Sequence, residues 1–592
     1  MQRNFALLML SAIVGIALLL QQGYLDSKAL AQVPDPVFVD VSRQAGIVNN
    51  RAVSIEMAAG IAWGDYDRDG WADLYVTDSG GPNHLYHNNG DGTFSLAPVS
   101  TQVSLPQAYS NGAIFADYNN DGWLDLYVAN WGQDNLFIND NGQGFRDITR
   151  AAGIDNDNNS KTASWGDFDN DGWLDLYVAN WSCYPNCGRS MDGDVDRLYR
   201  NNGDGTFSNV SDYLGGGMNG AGFVASFNDY DNDGDLDIYL VNDEFVNPIG
   251  NKLWRNDGPG CRGWCFRQVA AEAGADAKVF GMGLAVGDYD NNGWLDYYYS
   301  NVGPMELLKS NADGTFSEVA ADTGVQVPNG IGWGAVFLDY DNDGWRDLYL
   351  AIADTANHRD IGANKLFRNN ADGTFTEVAC HNEASDVRMS ISVAYADYNQ
   401  DGWVDLLVGN ADEGYRLYEN RAWQTAQANW IALELTGGGP VNRDAIGARA
   451  IITTPDGTTQ MQDIISGSSV AAGNEMVLYF GLGKYAKADI TIRWPDGSHQ
   501  NFKNVAANQR YSLEYPVGGS SGLTKIDRVP AAEKPSAFSK LPLPDLRQAG
   551  VALSGGLLTF GLLTLLTGVR SGKKAWVLTI SGASILFAVG IY

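Results

Sequence analysis

"DYDNDGWRDLYL", residues 339–350, decides how the rest of the chain reads. Acids stand at Asp339, Asp341, Asp343 and Asp347, and an apolar run follows at once. Four carboxylates within nine residues repel one another unless a cation compensates them. A single such turn is an ordinary solvated loop, but this chain repeats it. Loops with the same offsets begin at Asp65, Asp117, Asp167, Asp229, Asp288, Asp339 and Asp397. A period of roughly 50–60 residues marks a propeller or another repeat array.

Each loop follows the pattern D-x-[DN]-x-[DN]-G-x-x-D. Side-chain oxygens at positions 1, 3, 5 and 9 converge on one hard cation, and the carbonyl at position 7 adds another. Glycine at position 6 permits the sharp bend. The candidate ligands are Asp65, Asp67, Asp69 and Asp73 in the first loop, and Asp117, Asn119, Asp121 and Asp125 in the second. Asp167, Asp169, Asp171 and Asp175 follow in the third, and Asp229, Asp231, Asp233 and Asp237 in the fourth. The fifth supplies Asp288, Asp290, Asn292 and Asp296, and the sixth Asp339, Asp341, Asp343 and Asp347. The seventh supplies Asp397, Asn399, Asp401 and Asp405. An all-oxygen set selects Ca2+ over Zn2+, and Mg2+ is ill suited to crowded protein cages. The expectation is up to seven structural Ca2+ ions. An EF-hand needs a bidentate Glu at position 12; here that position holds Val76, Val128, Val178, Leu240, Tyr299, Leu350 or Val408, which excludes it.

Behind each loop come a strand-like run such as "DLYV", a second short one such as "LYHN", and then a turn such as "NNGDGTF" into a third. Asn-Gly and Asp-Gly are hairpin signals because tight turns need positive φ. The unit is therefore a small antiparallel sheet of about four strands. A strand opening with Phe follows six repeats, and the seventh lacks one. "FVDVSRQAGI" at 38–47 reads like "FRDITRAAGI" at 145–154 and would supply it. That closes the ring and removes an exposed edge. Residues 36–425 are read as an all-β, closed seven-bladed β-propeller, with an open solenoid as the alternative. Trp at loop position 7 in six repeats is read as packing between blades.

The loops, with preceding segments such as "GIAWGD" (60–65) and "GAVFLD" (334–339), resemble FG-GAP/VCBS repeats, as in the integrin α propeller. "NRDAIGARAIITTPDG" (442–457), "LYFGLGKYAKADITIRWPDGSHQNF" (478–502) and "NVAANQRYSLE" (504–514) resemble an ASPIC/UnbV domain. The combination resembles the cartilage acidic protein family and implies an extracytoplasmic, calcium-binding protein without established catalysis. From its own pattern, 429–515 reads as a small β domain, and 516–548, with five prolines, as an extended linker.

The chain ends are apolar. Residues 1–31 read as a signal peptide or an uncleaved signal anchor. Residues 549–592 read as two transmembrane helices, with Arg570, Lys573 and Lys574 between them facing the cytoplasm. This places the propeller outside the cytoplasmic membrane, tethered by the C-terminal hairpin. Five cysteines fit an oxidising compartment. Cys183/Cys187 and Cys261/Cys265 are each spaced to close a small disulfide, with thiolate metal binding as the other reading. Cys380 reads as a buried thiol. A net charge of −32, from 71 acids and 39 bases, argues against nucleic acid as a partner.

The function expected is a membrane-tethered calcium propeller that binds an extracytoplasmic protein or glycan. Two alternatives stand beside it. One is a calcium-assisted hydrolase or quinoprotein-like enzyme at the ring's centre; the other is a scaffold for an envelope complex. None of the five histidines recurs with the repeat, and no H-E-x-x-H is present, so no catalytic residue is assigned.

Overall fold

The computed structural model describes residues 37–526 apart from 48–58, 183–192, 217–219, 245–248, 262, 354–362, 379–382, 412 and 520. Residues up to 528 form one compact unit; the second unit, 529–592, lies wholly outside the described residues.

Each repeat folds as expected. In the first, Ile61–Gly64, Asp73–Val76, His84–Asn88 and Phe94–Leu96 pair antiparallel in chain order. Burial falls from inside to outside. Every residue of the first two strands is buried, whereas two of three in the fourth are exposed. Hence the inner strands read as continuous apolar runs and the rim strand alternates. The seventh sheet is completed by the N-terminal strand Phe38–Asp40, paired antiparallel with Gly414–Asn420 through Phe38↔Asn420 and Asp40↔Tyr418. The displaced strand thus closes the last blade. The second and third blades share one eight-stranded sheet through Asn159↔Trp131.

Every junction between consecutive blades has its own apolar core, including the seventh against the first, where Leu407 and Tyr415 pack with Ile61 and Trp63. Between blades four and five, Tyr239 and Tyr297 stack at 4.4 Å. A polar clasp repeats beside these cores. The Asn ending the third strand donates its side-chain N–H to a carbonyl of the preceding blade: Asn88 to Tyr398, Asn139 to Tyr66, Asn201 to Tyr118, Asn256 to Phe168, Asn369 to Tyr289 and Asn420 to Tyr340, all at 2.8–2.9 Å. Blade five has Ser310 at this place.

Residues from 429 onward form two further four-stranded sheets. One holds Asn429–Thr436, Leu478–Gly483, Gln509–Glu514 and Thr524–Lys525; the other holds Arg449–Thr453, Thr459–Asp463, Lys487–Arg493 and His499–Ala506. Thr524–Lys525 lies inside the stretch expected to be linker: it pairs with Tyr511 and Ser512.

The segment 466–473 of this region fills the ring's centre. Ala472 and Gly473 pair parallel with Ile61 and Ala62 of the first blade. The Ser469 N–H donates to Leu284 O of the fifth (2.7 Å), and Ser164 Oγ of the third donates to Ser466 O (2.5 Å). Gly467 (φ +80°) approaches so closely that a Cβ there would stand 2.2 Å from Ala163 O. Val470 and Ala471 cluster with Phe223, Met282, Trp333 and Ile391 on the channel wall. The central opening invoked for an enzyme is occupied by side chains of the chain itself.

The expected transmembrane hairpin is corrected. Long apolar runs at 549–592 implied spanning helices, but among the described residues no helix is long and apolar enough to cross a membrane. The α-helices among the described residues, Ala270–Ala273 and Ala320–Thr323, have four residues each. Residues 549–592 and the expected signal segment 1–31 lie outside the described residues. The membrane tether, the membrane as partner and the placement at the cytoplasmic membrane rested on that hairpin and fall with it. Cys261 and Cys265 form a disulfide; Cys183, Cys187 and Cys380 lie outside the described residues.

The clasp gives a direct test. Asn201→Ala leaves two buried carbonyls, of Tyr118 and Leu174, without their donor and is expected to cost about 1–3 kcal/mol. Asn202→Ala, on the exposed neighbour, is expected to change stability by less than about 0.5 kcal/mol. Equal denaturant midpoints for the two variants would refute the clasp.

Candidate metal centre

The seven loops turn at the same end of the ring, where each first strand passes to the second. Position 6 is glycine in all seven, with φ between 84° and 103°. Position 4, at which the sequence reading assigned no role, is also left-handed, φ 53–60°, and holds Arg68, Asn120, Asn170, Asn232, Asn291, Asn342 or Gln400. Asn tolerates this region better than most residues. Its side chain bridges to the next loop. Asn120 donates to Gly172 O, Asn232 to Gly293 O, Asn291 to Gly344 O, Asn342 to Gly402 O and Gln400 to Gly70 O, at 2.7–3.0 Å. The recurrence of Asn at position 4 was the signal available in the sequence.

Within a loop the carboxylates are fixed by backbone N–H groups. In six loops the position-1 carboxylate accepts from positions 5 and 6; for Asp339 these are Asp343 N (3.0 Å) and Gly344 N (2.8 Å). In all seven the position-9 Asp accepts from the residue ending the third strand, as Asp347 does from Asn369 N at 2.7 Å. All seven position-9 aspartates are buried.

The expected ligands therefore converge. Carboxylate oxygens of Asp65, Asp67 and Asp73 lie within 4.8 Å of one another, as do those of Asp167, Asp169 and Asp175, of Asp229, Asp231 and Asp237, and of Asp288, Asp290 and Asp296. Position 5 (Asp69, Asp121, Asp171, Asp233, Asn292, Asp343, Asp401) caps its own turn, accepting the N–H of position 7 at 2.8–3.1 Å. The groups fit a hard divalent cation on their donor chemistry and on their orphaned atoms. Buried oxygens of Asp125, Asp169, Asp229, Asp231, Asp290, Asp341 and Asp405 have no hydrogen-bond partner.

Burial, then mutual repulsion, pushes these acids up. Asp65, Asp73, Asp117 and Asp288 rise to about 7, and Asp167 to about 8. Basic side chains from the third strand soften the charge. Arg200 Nε reaches Asp169 at 2.5 Å, Lys309 Nζ reaches Asp290 at 2.6 Å and Arg368 Nε reaches Asp341 at 2.7 Å. His87 Nδ1 lies 3.1 Å from Asp67 and 3.3 Å from Asp73, and its hydrogen bond to Asp73 raises it to about 9.

The position-7 tryptophans pack both within and between blades: Arg68 of blade one stands 5.4 Å over the Trp123 ring of blade two, and Trp403 joins the core between blades six and seven. Trp71 lies over the turn at Gly90 in its own blade, so that a Cβ on Gly90 would meet its indole at 2.8 Å.

The FG-GAP-like repeat matches residues 65–128, 117–178, 187–240, 229–299, 288–350 and 339–408. The chain belongs to the FG-GAP-like repeat family. The ASPIC and UnbV family matches 438–520, the region carrying the central plug. Cartilage acidic protein 1 of Homo sapiens is 26% identical over 305 residues, covering 42% of this chain and 46% of the relative. That of Xenopus tropicalis is 28% identical over 258 residues, covering 42% and 38%. The FG-GAP chain thus spans less than half the length of these curated relatives. Among solved structures, the BP39L lectin from Burkholderia pseudomallei aligns with 62% of this chain and 96% of its own at 10% identity, with a TM-score of 0.42. Neither of the curated relatives is named for a catalytic activity.

The elevated acids of the FG-GAP loops set a pH signature. A carboxyl whose native pKa exceeds its unfolded value, near 4, stabilises the fold fully below that value. It loses this contribution as pH climbs through the native value, here about 7. In chelator, the melting temperature is therefore expected to fall from pH 5 to pH 8, and calcium is expected to abolish the fall. A chelated protein equally stable at both pH values would contradict this electrostatic picture.

Proposed function

We propose that this chain is a non-catalytic binding module whose propeller is stiffened by calcium in its seven loops, with the position 1, 3, 5 and 9 residues as ligands. One observation carries the reading: seven carboxylate turns of one backbone form, six of them with a buried anionic oxygen that has no partner. Each filled loop would lock the turn between the two innermost strands of its blade and relieve the repulsion there. The division into a propeller at 36–425 and an ASPIC/UnbV domain at 429–515 belongs to the same proposal: the second part caps the loop end of the ring and corks its centre.

The ligand surface is then the opposite end. Tyr109 (48% exposed), Phe280 (37%) and Val302 (44%) lie at that end, at or before the start of a first strand or after a second. Tyr109 and Trp131 form an aromatic pair at 5.8 Å. Exposed apolar rings of this kind mark binding sites, and aromatic bodies with polar tips suit a glycan.

Calcium at 100 times its dissociation constant is expected to add about 2.7 kcal/mol per occupied site, read as a rise in melting temperature that Asp347→Asn reduces by one site's share. A melting temperature indifferent to millimolar calcium would end the proposal. On a glycan array, Tyr109→Ala is expected to lose binding without losing the calcium-dependent rise. Retained binding would move the ligand surface elsewhere, and capture of a protein in place of a glycan would replace the ligand class.

A further inference from the structure

The seven loops fall into two electrostatic classes. Five carry Asp at position 3, and each of these receives a base. His87, Arg200, Lys309 and Arg368 pair with Asp67, Asp169, Asp290 and Asp341. In blade four, Arg493 and Arg449 from the ASPIC/UnbV region approach Asp229, and Arg449 also donates to Asn232. The loops of blades two and seven carry Asn119 and Asn399 at position 3 instead. Their equivalent third-strand residues are Ile138 and Glu419, neither of which is a base.

These same two loops differ at position 9. In the other five, Oδ2 of the position-9 Asp accepts the N–H of position 2 at 3.1–3.2 Å. Asp125 Oδ2 and Asp405 Oδ2 have no partner, although both residues are only 1% exposed. Each therefore offers one more open anionic oxygen than its counterparts.

A carboxylate from outside the loop stands beside each. Asp444 Oδ2 accepts the Asp117 N–H at 2.7 Å, and the adjacent Arg443 N–H donates to Asn120 Oδ1 at 2.8 Å, which pins 443–444 onto the blade-two loop. Asp444 is close enough to act electrostatically on both Asp117 and Asp125. In blade seven, Glu475 Oε2 makes the same contact, accepting the Asp397 N–H at 3.1 Å, and it acts on Asp397 electrostatically.

We infer that the carboxylate missing from position 3 of blades two and seven is supplied from outside the loop, by Asp444 and by Glu475. The blade-two site then exists only when the ASPIC/UnbV domain is seated, and its ion fastens that domain to the ring. This rests on the calcium reading above.

The test is equilibrium dialysis of the full chain at a fixed millimolar calcium concentration, counting ions per chain. Asp444→Asn keeps an oxygen to accept the Asp117 N–H and is expected to bind one ion fewer than the parent, as is Glu475→Gln, which keeps one for the Asp397 N–H. Returning the acid to the loop, in N119D/D444N and N399D/E475Q, is expected to restore the parental count. Unchanged counts in both single variants, or folded double variants still one ion short, overturn the inference. Should Asp444→Asn fail to fold, N119D/D444N decides alone: folded with the full count supports it, and unfolded or one ion short overturns it. A parent chain that binds no calcium would instead remove the underlying reading.

Discussion

The buried aspartate that opens each second strand is the joint on which the ring depends. One of its oxygens takes the N–H of the residue ending the third strand, and in five blades the other takes an N–H from the loop. The Asn at that strand end then reaches a carbonyl of the preceding blade. One side-chain pair therefore ties strand to strand, strand to turn and blade to blade. Replacing either member strands buried polar atoms rather than merely deleting a contact. The apolar interfaces supply most of the driving force, but they are non-directional; the Asp–Asn clasp gives each blade its register against the next.

That joint sits inside a concentration of like charge, and the two demands are linked. The N–H groups that orient the carboxylates are dipoles and cannot neutralise seven acidic turns. In five blades a base stands against the loop as well. Charge balance thus acts at two levels, backbone dipoles within the turn and bases from the neighbouring strand or domain, and on the proposed reading a cation at the centre would be a third. Burial first, and the repulsion that remains second, raise the acids above their ordinary range.

Much of this was legible in the chain. The repeated D-x-[DN]-x-[DN]-G-x-x-D pattern located every turn, because glycine at position 6 and acids at fixed offsets have only one compact arrangement. The missing Phe strand behind the seventh repeat and its twin at 38–47 located the closure, because an exposed strand edge demands a partner. The position-7 tryptophans were only partly readable, because regular placement says that a residue packs but not against what: Trp71 covers a turn of its own blade, whereas Trp123 and Trp403 meet the preceding one. The membrane hairpin was misread on apolar length alone. The plug at 466–473 was invisible, because "SGSSVAAG" carries no motif and its small residues matter only inside a channel of the right width.

The plug bears most on function. A propeller with an open axis offers its centre as a site, with the innermost strands converging around a ligand. Here Val470 and Ala471 take that space against Phe223, Met282 and Trp333, and the domain carrying them covers the loop end through Asp444, Arg449 and Arg493. Both the axis and one end are committed to holding the molecule together. Among the described residues, Tyr109, Phe280 and Val302 at the far end remain partly in water, Tyr109 beside Trp131. Exposed apolar side chains on an otherwise strongly acidic protein are costly to solubility, which is the ground for placing the proposed ligand surface at that end.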